Sequence, residues 1–403
     1  MIGLVVNPVA GVGGPAGLAG SDGAEVQRLA VSRGAHSRAQ ARATIALRVL
    51  AARHPALVIA TASGAMGADA VRAAGLEAWV VHEPGPATSA SDTSAAVAAL
   101  AAAGATLILV AGGDGTLRDA AAGLAGLAYM TQESPGRSVA ADPLQAGSPA
   151  GLLKCEQQPA VLGIPSGVKM YSPVFAVSPR AAGAIAADWV DGSLPTAERE
   201  VLDVDEAAMR RARVEPQLFG MLRVPFRVGR TQARKAATPA SEADAVAAAA
   251  RGAVARMRSG VRYLLGPGST TAQIARQLGI DKSPLGVDVI LDGGQVLSAA
   301  SETQLLDEIA LGPAQAVVTV IGGQGFLLGR GNQQLSAAVI SALGDDPLMV
   351  VAPEQKLIDL RGRALIVETG DPAVDERLSG HIRIITGAAT TSLYAVAAPD
   401  LVP

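Results

Sequence analysis

The sequence predicts a two-domain α/β protein, and three observations carry that prediction. Short β-branched runs alternate with Ala-rich helical stretches through the first half, the pattern of βαβ units wound around a parallel sheet. Near Glu198 the texture changes to closely spaced strand-like runs separated by turns, which marks a second domain. The chain has 403 residues, 49% of them apolar and 17% charged, enough for two buried cores and too little charge for wholesale disorder.

In the first domain, 1–197, strands are expected at Ile2–Val6, Leu57–Ala60, Glu77–Val81, Thr106–Val110 and Ala160–Gly163, with helix formers filling Ala35–Arg53 and Ser94–Ala103. A doubly wound sheet follows, with ligands expected at strand C-terminal ends. The longest apolar stretch, Ala95–Ala111, is mostly Ala and is broken by Gly104, so it reads as a helix and a buried strand rather than a membrane span. Thr131–Pro159 is polar, proline-rich and without period; it reads as a surface insertion, with a lid over the site as the functional alternative. In the second domain, 198–403, strands are expected at Glu200–Val204, Leu218–Val224, Arg262–Leu265, Val287–Leu291, Ala316–Ile321, Leu348–Val351, Ala364–Val367 and Ile382–Thr386. With a helix from about Glu242 to Arg258, they point to a mixed sheet.

Several function classes fall away. A net charge of −3, no dense Lys/Arg stripe and few aromatic rings leave little with which to hold nucleic acid. Cys155 is the only cysteine, so neither an internal disulfide nor a thiol metal cluster can form, and a reducing, cytoplasmic compartment is expected. The start shows no secretory pattern. His36, His54, His82 and His381 are scattered without metal-ligand spacing.

The strongest chemical signal is the strand Ala105–Ala111 running into Gly112-Gly113-Asp114-Gly115-Thr116 and a helix from about Leu117. Glycines let backbone N–H groups approach phosphate oxygens, the helix N-terminus adds free donors, and Thr116 can cap it. Asp114 conflicts with such a cradle, because a carboxylate repels phosphate unless a cation or a proton lies between them. It therefore either holds Mg²⁺ or accepts the proton of an attacking hydroxyl, both roles in phosphoryl transfer. The structural alternative is a tight strand-to-helix turn in which Asp serves local hydrogen bonding.

Two further glycine-rich strand exits stand out. In Gly266-Pro267-Gly268-Ser269-Thr270-Thr271, Ser269 or Thr270 can cap a helix Ala272–Leu278 and offer hydroxyl donors. Val317–Ile321 leads into Gly322-Gly323-Gln324-Gly325 and then Gly329-Arg330-Gly331-Asn332-Gln333-Gln334, where polar side chains on a costly loop point to recognition of phosphate or base edges, against a purely structural Ω-like loop. Lys169 follows a glycine turn and reads equally as a phosphate contact or an exposed lysine.

GGDGT after a buried strand resembles the signature of the superfamily that joins NAD kinases with diacylglycerol and sphingosine kinases. Val6–Gly11 is similar to that superfamily's first-strand turn, and Gly163–Lys169 to its next strand-and-turn motif. Gly20-Ser21-Asp22-Gly23, Gly322–Phe326, Gly329–Gln334 and Glu368-Thr369-Gly370-Asp371 narrow the resemblance to the ATP-NAD kinase-like family, in the branch of predicted polyphosphate/ATP-NAD kinases that includes the acetoin-catabolism protein X. The resemblance implies an N-terminal Rossmann-like domain, a β-rich mixed C-terminal domain, an active site between them, and homo-oligomers. It implies ATP or polyphosphate as donor, Mg²⁺, and NAD or a related nucleotide as acceptor. Asp114 is then base or metal partner and Asn7 lies near the nucleotide. Ser166, Gly167 and Lys169 fall in the second motif, and Gly268, Ser269 and Thr270 in a turn that grips the dinucleotide. A silent nucleotide-binding regulator and a kinase of a small non-nucleotide alcohol are the alternatives. Ala299-Ala300-Ser301-Glu302 departs from the branch, which has an acidic and amide pair before the glutamate.

Overall fold

The computed structural model describes residues 1–18, 24–85, 88–130, 158–192, 194–203, 217–227, 230–232 and 243–399. The motif Gly20–Gly23 and nearly all of the expected insertion, 131–157, lie outside the described residues.

Five strands build the first sheet: β1 (Ile2–Val6), β2 (Val58–Ala62), β3 (Glu77–His82), β4 (Leu107–Gly112) and β5 (Ala160–Pro165). All pair in parallel, in the order β3-β2-β1-β4-β5. Strands β1 and β4 and the edge strand β5 are buried along their whole length, as their unbroken apolar sequences require when helices cover both faces. Those helices are α2 (Ala39–Arg53), α3 (Ala68–Ala73), α4 (Ala90–Ala102), α5 (Asp114–Met130) and α6 (Pro179–Val190), while α1 (Ala24–Ser32) packs through Ala30 on Val12 and Ala16 of the turn after β1. The apolar stretch at 95–111 divides as expected into α4 and β4, and among the described residues no helix is long and apolar enough to cross a membrane. From β1 the chain steps outward to β3, then returns to β4 on the other side. The carboxyl ends of β1 and β4 therefore flank the switch point, where doubly wound sheets bind ligands.

An antiparallel hairpin follows, β6 (Thr196–Asp203) and β7 (Gln217–Pro225). Its Val201, Leu222 and Val224 belong to the first core. We propose that the boundary expected at 197/198 lies after this hairpin, because the hairpin's buried face is shared with α5 and β5 rather than with the second sheet.

The second unit contains α7 (Ala243–Val254), β8 (Arg262–Leu265), α8 (Ser269–Gln277), β9 (Val287–Leu291), β10 (Gly294–Ala300), α9 (Glu302–Ala310), β11 (Ala314–Val318), α10 (Ala337–Ala342), β12 (Leu348–Val351), α11 (Glu354–Ile358), β13 (Leu365–Ile366), α12 (Pro372–Leu378), β14 (Gly380–Ile385) and β15 (Thr391–Ala397). Its eight-stranded sheet runs β10-β9-β8-β11-β12-β14-β15-β13. The quartet β8, β11, β12 and β14 is parallel, and β9, β10 and β15 join by antiparallel pairing. Strands β10 and β15 were not expected: both are largely exposed hairpin partners, held by ladder bonds rather than by an apolar run.

A loop from Ile321 to Gln334 ties the two units together. Phe326, fully buried, joins the first core although it belongs to the second unit. Arg330 stacks on it at 4.3 Å and pairs with Glu368 at 3.1 Å. Glu368 also takes Arg42 of α2 at 2.7 Å. Two guanidiniums thus share one carboxylate in the interface, and removing it leaves both uncompensated. Glu368→Ala should lower the unfolding free energy by about 3–5 kcal/mol in urea denaturation. A loss below about 1 kcal/mol would show that the triad does not hold the units together.

Candidate active site

At the switch point lies a cavity of about 420 Å³, within the usual range for small-molecule sites. The turn after β1 supplies Asn7, the exit of β4 supplies Gly113, Asp114, Gly115 and Thr116, and the exit of β5 supplies Gly167 and Lys169. Seven of the residues singled out in the sequence therefore meet in one place. Ser166 lines a smaller recess between the units, and its hydroxyl donates to the Ile164 carbonyl.

Asp114 is the first residue of α5 and is 1% exposed. Its Oδ2 accepts from the Tyr171 amide at 2.5 Å, and its Oδ1 from the Ser172 amide at 3.0 Å and the Ser172 hydroxyl at 2.6 Å. Burial pushes the carboxyl up to about 6, and the Ser172 and Tyr171 donors oppose that shift. The amide of Asp114 donates to the Lys169 carbonyl at 3.1 Å, so the two strand exits grip each other from both ends.

The glycines answer first to that grip. A Cβ on Gly113 or on Gly167 would press into the other's main chain, and one on Gly112 would strike Thr116. The cradle is consequently narrower than the motif implied. Asp114 N–H is spent, and Gly115 and Thr116 remain as first-turn amides without an intrahelical partner. Thr116 lies inside the helix rather than at its cap, and its hydroxyl accepts from the Asn7 side chain at 3.0 Å. Asn7 thereby ties the β1 turn to the β4 turn.

Lys169 sits 3.6 Å from Asp203, the last residue of β6, and Arg118 of α5 is 2.9 Å from the same carboxylate. The lysine is therefore a mostly covered residue of the cavity wall, not an exposed helix-start residue. Arg118 and Asp119 also line the cavity. Neither was singled out, although both directly continue the GGDGT helix and Arg118 falls one turn beyond Asp114; the pairing with Asp203 had no local signal.

The second-unit residues singled out in the sequence lie elsewhere. Gly268, Ser269 and Thr270 do not line this cavity. Helix α8 begins at Ser269 with Gly268 as its N-cap, so neither Ser269 nor Thr270 caps it, and Thr270 is fully buried beneath Lys356. Gln324, Arg330 and Asn332 are also buried away from the cavity. Gln324 donates to the Met170 carbonyl at 3.1 Å, and Arg330 to the Val177 carbonyl at 2.9 Å and to Gln232 at 3.0 Å. Asn332 folds its own loop, accepting from Gly329 N–H and donating to the Leu327 carbonyl. Glycines at positive φ flank both projecting residues: Gly323 and Gly325 around Gln324, Gly329 and Gly331 around Arg330. Each G-x-G turn projects one polar side chain: Gln324 meets the Met170 carbonyl, and Arg330 meets the Val177 carbonyl together with Gln232 and Glu368.

The residues present do not fit a resident metal at Asp114. Three protein donors take most of its acceptor positions and leave only one lone pair on Oδ2, and among the described residues no group of three His, Cys, Asp or Glu side chains is set to hold a metal ion beside it.

Together these features define a two-unit α/β protein with a polar cavity at the switch point of its first sheet. Residues 2–128 match the ATP-NAD kinase N-terminal domain and residues 258–396 the ATP-NAD kinase C-terminal domain. The chain belongs to the ATP-NAD kinase-like family. No curated protein and no solved structure matches it.

The buried carboxyl makes a stability prediction with a fixed sign. Because Asp114 holds its proton more tightly when folded, its contribution to stability is fully present below its ordinary 3.8 and is lost as pH rises to about 6. Relative to Asp114→Asn, the native protein should lose on the order of 3 kcal/mol of unfolding free energy between pH 4 and pH 7. A difference that stays flat across that window, measured by chemical denaturation, would remove burial as the cause.

Proposed function

We propose that the protein transfers a phosphoryl group from ATP or polyphosphate to a hydroxyl of NAD or a related nucleotide, with Asp114 as general base. The family supports NAD kinase-like phosphotransfer. The observation that carries the assignment of the base is the Asp114 carboxyl itself: it lies in the cavity wall, and Oδ2 accepts a single donor, leaving a lone pair for a substrate hydroxyl. Poised near 6, it is mostly ionised at neutral pH and basic enough to take a proton.

In this reading the acceptor hydroxyl gives its proton to Oδ2 as its oxygen bonds to the transferred phosphorus. The donor's bridging O–P bond breaks, and the shortened polyphosphate leaves with that bond's electrons. Gly115 and Thr116 amides and the side chains of Lys169 and Arg118 position the phosphates. Asp114, Asp119 and Asp203 outnumber those two cations, so the donor enters as its magnesium complex, with the cation part of the substrate. The segment that departs from the branch favours turnover over a silent regulator, because it lies outside this cavity. Ser301 caps α9, and Glu302 meets Pro15 through its amide and Arg38 through its carboxylate.

Purified protein given NAD, ATP and Mg²⁺ should produce NADP, and Asp114→Asn should lower the rate about 10²–10⁴-fold. The native kcat/KM should fall on the acidic side with a midpoint near 6. Saturable nucleotide binding without product would overturn the kinase assignment, and undiminished turnover in the Asn variant would overturn the role of Asp114.

A further inference from the structure

Beyond the residues that touch the cavity, we infer that Gln324 of the second unit and Gln232 are positioning residues for Asp114, acting through the Met170–Tyr171 peptide bond. Both side-chain amides donate to the Met170 carbonyl, Gln232 at 2.9 Å and Gln324 at 3.1 Å. The N–H of the same peptide group, on Tyr171, is the 2.5 Å donor to Asp114 Oδ2. One planar amide thus has its oxygen held by Gln324 and Gln232 and its hydrogen on the carboxylate.

Two physical consequences follow. Donors on the carbonyl fix the plane of the peptide, and therefore the direction from which Tyr171 N–H meets Oδ2. They also polarise the amide, making its N–H a stronger donor, the cooperative strengthening found along chains of hydrogen bonds. Gln232 is itself polarised, since its Oε1 accepts from the Arg330 guanidinium at 3.0 Å. A continuous chain therefore runs from the Arg42–Glu368–Arg330 triad through Gln232 and the peptide to Asp114. Gln333 provides the internal contrast: it donates to the Gly167 carbonyl at 3.1 Å, on the same segment but on a different peptide.

The kinetic consequence rests on the proposed reaction; the hydrogen-bond relay does not, and the two separate experimentally. The chain has four tyrosines, so labelling with ¹⁵N-tyrosine yields a spectrum of four backbone amides, in which Tyr171→Phe identifies the one that matters. Its proton should lie downfield of the rest and move upfield in Gln324→Met, and further when Gln232→Met is added. Gln333→Met should leave it in place. On the kinetic side Gln324→Met should lower kcat about tenfold, the worth of one hydrogen bond, with KM within about twofold. An unmoved Tyr171 signal in folded Gln324→Met, or an equal movement in Gln333→Met, overturns the relay whether or not NADP is formed. A moved signal with unchanged kcat overturns the positioning role and keeps the relay.

Discussion

The main chain from Gly167 to Ser172 is the strip against which the site is built. Asp114 grips it from one side, receiving Tyr171 and Ser172 amides and giving its own amide to Lys169. Gln232, Gln324 and Gln333 hold its carbonyls from the other. Without that strip the GGDGT turn would have no partner for its carboxylate, and a buried ionisable group without donors is among the most expensive features a protein can contain.

Burial and donation oppose each other at Asp114. Removal from water disfavours the carboxylate, three donors restore part of its stability, and the balance leaves the group near 6 rather than at either extreme. That intermediate position suits proton transfer better than permanent charge.

The turn after β1 extends the same dependence into the second unit. Consecutive i→i+3 turns carry the chain from Asn7 to Gly17, with Gly11 packed under the Ser166 carbonyl and Gly17 under the carbonyls of Ala299 and Ala300. Its first residues line the large cavity and its middle lines the recess between the units. A shift of the second unit is therefore felt at the turn after β1 through packed backbone, with little slack for side chains to absorb it.

The order of elements, the parallel first sheet and the meeting of Asn7, the GGDGT turn and Lys169 at one switch point were legible in the sequence, because each depends on local period, on glycine and on the topology of adjacent βα units. The strands β10 and β15 were not, since ladder bonds to a neighbour leave no apolar run to read. Nor were the roles of Gln324, Arg330 and Glu368. A glycine-flanked polar residue reads the same whether it meets a ligand or a distant carbonyl. Only the folded chain, by bringing residue 324 beside residue 170, decides which acceptor its donor finds.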